Sequence, residues 1–74
     1  MAERVRIEIG FDGGQIMGAL VSVASADELD RALEAGQDGT LTLEAADGRY
    51  TVALRRVVYV KRFARESRVG FGSQ

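Results

Sequence analysis

The stretch "RVRIEIGF", residues 4 to 11, alternates without a break: Val5, Ile7, Ile9 and Phe11 are apolar, and Arg4, Arg6, Glu8 and Gly10 stand between them. Successive side chains of a β-strand point to opposite faces, so this period of two predicts a strand with one buried face and one face in water. Such a strand needs neighbours in a sheet and an apolar layer over its buried side. The remaining sequence supplies both.

"DGG" at 12 to 14 tolerates positive φ and predicts a hairpin turn. "QIMGALVSV" is apolar on both faces and reads as a strand inside the sheet, with Gly18 fitting a bulge or a close approach. In "SADELDRALEAG", Ser25 and Glu28 have the spacing of a capping box, and Asp27, Glu28 and Asp30 suit the positive end of a helix dipole. Leu29, Ala32 and Leu33 form its apolar stripe, and Gly36 ends it. "TLTLEAADGRYTVAL" predicts a second hairpin turning at Asp47-Gly48, and "VVYVKRF" a fifth strand over 57 to 63. The order is ββαβββ, an α+β fold with a small, mostly antiparallel sheet and one helix packed on one face. Ile7, Ile9, Leu29, Leu33, Leu43, Val52 and Val60 are the expected core.

Seventy-four residues make one domain, 1–74, with 65–74 as a C-terminal segment that can add a strand. A chain this short buries only about 60% of its unfolded surface and usually needs reinforcement. The sequence contains no Cys and no His, which excludes disulfides and makes structural zinc implausible. That leaves self-association, so a homo-oligomer is expected. No apolar run approaches the roughly 20 residues of a membrane span, and "MAERVRIEIG" lacks the apolar core of a secretory signal. No membrane contact and a cytoplasmic location are therefore expected.

The same absences bear on chemistry. Without His or Cys, the commonest general base and the best neutral-pH nucleophile are missing, and Ser22, Ser25, Ser67 and Ser73 have no recognisable activating partner. "GFDGGQIMG" is not a phosphate-binding loop, because no Lys follows its glycines at the required place. The chain is expected not to be an enzyme and to take no cofactor or metal.

The charge is uneven. Residues 1 to 40 hold eight acids and three bases, a net of −5; residues 41 to 74 hold three acids and seven bases, a net of +4. The basic half is concentrated in "RRVVYVKRFARESRVGFG". On a regular strand Val57, Tyr59, Lys61 and Phe63 share one face, and Val58, Val60 and Arg62 the other. With the second face in the core, Tyr59, Lys61 and Phe63 become an exposed row of aromatic and cationic groups, joined by Arg55, Arg56, Arg62, Arg65 and Arg68. Three readings fit: long cations guarding an edge strand, a surface that meets a protein, and a stacking and phosphate platform for a nucleotide or RNA. Among the binding readings a protein partner is the leading expectation and a nucleotide or RNA the alternative. Val69 and Phe71, flanked by Gly70 and Gly72, alternate as strand residues do and are the expected contacts between subunits.

Taken in order, "VRIEIG", "SADELDRAL", "LTLEAADGR", "VVYV" and "RVGFG" resemble a family of short actinobacterial proteins of unknown function that end in an RVGFG motif. The resemblance covers nearly the whole chain and implies the same sheet and helix. Some of its members carry an automatic ATP-binding label. The segment after "YV" is near-neutral or acidic in that family and is "KRFARES" here, so the basic stretch is particular to this chain.

Overall fold

Alternation and turn residues produce the expected chain order. A computed structural model describes residues 3–64. It shows β1 (Arg4–Phe11), β2 (Ile16–Ser22), α1 (Val23–Glu34), β3 (Thr40–Ala45) and β4 (Gly48–Ala53), then a 3₁₀ turn (Leu54–Arg56) and β5 (Val57–Arg62). The expectations placed on Arg65, Arg68, Val69 and Phe71 lie outside the described residues. No helix among the described residues is long and apolar enough to cross a membrane.

The five strands form one antiparallel sheet in the order β4-β3-β2-β1-β5. Its two edge strands are joined by three residues only. In a flat sheet four spacings of about 4.8 Å would hold β4 and β5 about 19 Å apart. Ala53 to Val57 spans four Cα–Cα steps of 3.8 Å, about 15 Å when fully stretched and less in a 3₁₀ turn. The sheet must therefore curl. Two backbone hydrogen bonds hold the curl: Leu54 N–H donates to the Gly39 carbonyl (2.9 Å), and Asp12 N–H donates to the Arg56 carbonyl (2.9 Å). Pairing between β2 and β3 is confined to Val21 opposite Ala45, with Ala46 N–H donating to the Leu20 carbonyl (2.9 Å). Among the described residues the first half of β2 consequently has no paired strand on that side.

The helix begins three residues before its expected start. Ser22 is extended (φ −66°, ψ 151°), so it ends β2 and caps α1 at once, its hydroxyl accepting from Ser25 N–H at 3.1 Å. Ser25 is thereby inside the first turn, 4% exposed, and its hydroxyl accepts from Glu44 N–H at 2.9 Å. This bond satisfies a backbone donor of β3 beside the point where β2 gives way to the helix. At the other end Gly36 takes φ +67°, and Gly36 and Gln37 N–H donate to the carbonyls of Leu33 and Ala32. That is the paired closure a left-handed glycine permits. The second hairpin turns on Ala46-Asp47, one residue early, with Gly48 at φ +141° opening β4.

Ile7, Ile9, Val21, Leu29 and Leu43 are fully buried between the sheet and α1, with Ala26, Ala32, Val52 and Leu54 around them. Leu33 and Val60, expected in this core, are half-buried and pack against its rim. Leu33 lies in the last helical turn and Val60 on an edge strand, where cover is lost on one side. Gly18 pairs regularly with Glu8; the bulge lies instead on β5.

Candidate functional site

Among the described residues β5 is an edge strand paired only with β1. Its partners run Ile7–Arg62, Glu8–Lys61, Ile9–Val60 and Gly10–Tyr59, and then slip one residue to Phe11–Val57. Val58 is the extra residue and stands 67% exposed. The slip corrects the expected faces at one end of the strand. Val57 lies with Phe11 and Val60 against the core, while Val58 does not. Beyond the bulge the alternation holds, so Tyr59, Lys61 and Phe63 share the face away from α1. A bulge with flanking cations also discourages pairing of this edge with other chains, so the guarding role has physical support.

The row is built on β1. Tyr59 lies across Gly10, and an added Cβ on Gly10 would meet the ring at 2.0 Å. Only glycine leaves room for the ring to lie against the sheet. The Tyr59 hydroxyl donates to Glu8 at 2.6 Å, which pushes its pKa above the ordinary 10.0; partial burial and the carboxylate charge act in the same direction. Lys61 stands opposite Glu8, and its Nζ lies 4.5 Å from the centroid of the half-buried Phe63 ring, a cation–π contact. Phe63 N–H donates to the Arg6 carbonyl at 3.0 Å, which continues the ladder and sets Phe63 beside Arg6.

The other residues expected in the site are divided. Arg62 faces α1, where its guanidinium donates to Asp27 (2.9 Å) and Asp30 (3.2 Å). Arg56 donates to both oxygens of Asp12 (3.2 and 3.3 Å) beside the first hairpin turn. Arg55 is exposed at the same end, where it lines a shallow groove of about 600 Å³ with Asp38 and Thr40. Asp12 lies two residues beyond Gly10, so Arg56 stands past the Tyr59 end of the row with its guanidinium held by a carboxylate, and Arg55 lines the separate groove.

The sheet adds residues that the sequence reading missed. Arg4 and Arg6 lie on the same open face of β1, and β2 contributes Ile16 (64% exposed), across Gly10 from Tyr59 (42%), and Leu20 (42%), across Arg6 from Phe63. Alternation alone places Arg4 and Arg6 opposite the core. Their meeting with β5 depends on the strand order. Past the end of β5 a groove of about 760 Å³ opens between Arg4, Val5, Arg6, Val23, Arg62 and Phe63. The assembled surface offers aromatic rings, aliphatic side chains and guanidinium groups around the Glu8 carboxylate. Among the described residues no group of three or more His, Cys, Asp or Glu side chains is placed to hold a metal ion. Comparison with protein families, with curated proteins and with solved structures finds no match to this chain.

Proposed function

We propose that this chain is a non-catalytic interaction module that binds a protein partner through the open face of its sheet, around Tyr59, Lys61 and Phe63, and that also associates with itself. The observation that carries the proposal is the sheet face that the other described residues leave uncovered. One side of the sheet packs on α1, while the other exposes Ile16, Leu20 and Tyr59 beside Phe63, with charges interspersed. A sheet face that sets aromatic and aliphatic side chains among arginines suits a protein contact, where aromatic residues and Arg are enriched. A nucleotide or RNA could stack on the same rings. Two features favour protein: Glu8 sits within the row, and Arg56 and Arg62 already hold carboxylates of this chain. A phosphate backbone would meet repulsion from the first and compete with Asp12, Asp27 and Asp30 for the second.

Affinity capture from native extract tests the proposal, comparing the wild-type chain with Leu20→Ser/Tyr59→Ser. The expected result is a set of bound proteins lost with the variant and retained after nuclease treatment. Raising salt from about 50 to about 200 mM should weaken capture far less than the ~10³-fold or greater loss of a phosphate-dominated complex. Capture that ignores the substitutions, or that disappears with nuclease, would overturn the proposal. Self-association is tested by sedimentation of the full chain over a range of concentrations, a single monomeric species at all of them being the contrary result.

A further inference from the structure

The groove past the end of β5 has a chemistry of its own. Arg4 and Arg6 stand on the open face of β1, whereas Val5 between them and Val23, the first helical residue, lie toward the core side, with Phe63 at the groove's end. A segment laid beside β1 here would continue the line of β5. Its side chains would then alternate between a guanidinium wall and an apolar wall. Arg4 and Arg6 are two residues apart on a strand, about 6.8 Å, and acidic residues at every second position of an extended peptide have the same spacing. Arg62 is already held by Asp27 and Asp30, so Arg4 and Arg6 are the cations of this groove for which no carboxylate partner is seen among the described residues.

We propose that this groove binds an extended acidic segment of the partner protein, with acidic and aliphatic residues alternating: carboxylates on Arg4 and Arg6, aliphatic side chains on Val5 and Val23. The inference rests on the open face being a protein-binding surface and adds where the partner is anchored and by what chemistry. The chain's own C-terminal residues start beside the groove, at Ala64. Residues 65–74 carry two arginines and one glutamate, so their net charge matches that of the groove instead of opposing it. Charge complementarity selects an acidic segment from another protein.

The test uses the full chain and two labelled hexapeptides, one alternating glutamate with leucine and one alternating lysine with leucine. Binding is followed by fluorescence anisotropy and located by backbone NMR shifts, with circular dichroism confirming the fold of each variant. The glutamate peptide should bind at least about tenfold more tightly, each charge-assisted contact contributing about a factor of ten. Its shifts should centre on Arg4, Val5, Val23 and Phe63. Arg4→Glu with Arg6→Glu should reverse the preference toward the lysine peptide. Equal binding of the two peptides, or a preference unchanged by the charge reversal, would refute the inference. Shifts confined to Leu20, Ile16 and Tyr59 would refute the anchor while leaving the open face as the binding surface. Shifts on neither region, together with capture indifferent to Leu20→Ser/Tyr59→Ser, would remove both.

Discussion

Gly10→Ala should destabilise the fold only while Tyr59 is present. The added methyl carbon would lie 2.0 Å from one ring atom of Tyr59 and within 2.6 Å of two more. No side chain tolerates such contacts, so the ring must swing away from β1. It then gives up its packing on the strand and its 2.6 Å hydrogen bond to Glu8. An exposed cross-strand aromatic contact is worth about 0.2–1 kcal/mol, and the exposed hydrogen bond to the Glu8 carboxylate adds to it. Alanine also narrows the unfolded ensemble in this background, which offsets about 0.4–1 kcal/mol, so the net loss is smaller than the coupling energy between the two sites. In a Tyr59→Ala background the clash is gone. Gly10 does not hold a positive φ, so alanine fits its backbone and narrows the unfolded ensemble, stabilising by about 0.4–1 kcal/mol. The sign therefore reverses. Urea denaturation of the four proteins, followed by far-UV circular dichroism, gives the coupling energy directly. Equal effects of Gly10→Ala in the two backgrounds would show that the ring does not rest on Gly10.

Leu29→Ala removes a side chain that is 0% exposed at the centre of the core and should cost about 2–5 kcal/mol; Leu33→Ala, at the rim, should cost clearly less. Equal denaturation midpoints for these two variants would contradict the packing described. Ser25→Ala leaves the Glu44 N–H without its acceptor and should cost about 1–3 kcal/mol, and an unchanged midpoint would argue against that bond. Tyr59 and Tyr50 donate to Glu8 and Asp47, and these bonds, then partial burial, then the carboxylate charges raise both pKa values above 10.0. A group raised in the folded state stabilises fully below its unfolded pKa, so this contribution is lost as pH climbs from about 10 through the folded value. Ultraviolet titration should show Glu8→Gln lowering one of the two transitions; no change in either would exclude the Tyr59–Glu8 bond.

What the sequence revealed and what it withheld differ in kind. "RVRIEIGF" shows its own buried face, because period two is a local property and β1 is regular over its length. Gly36 announces the helix end equally plainly. The helix start was concealed because Ser22 ends a strand and caps a helix at the same residue, while Ser25 and Glu28 have the spacing of a cap without the position. On β5 the faces of Tyr59, Lys61 and Phe63 were legible, but those of Val57 and Val58 were not. The bulge there carries no Gly or Pro and follows from the curl that joins β4 to β5. Arg4 and Arg6 were invisible as site residues for a related reason. Local pattern gives a strand its faces but not its neighbours, and only the pairing of β1 with β5 brings these arginines to Phe63.

Site-specific photo-crosslinking in living cells tests the central proposal most directly. A photoreactive residue at Leu20 sits on the open face, and one at Glu34 sits on the exposed side of α1. Protein crosslinks that form at Leu20, are absent at Glu34 and are lost on adding Tyr59→Ser are the expected result. Equal crosslinking at the two positions, or crosslinks from Leu20 to nucleic acid alone, would contradict the account.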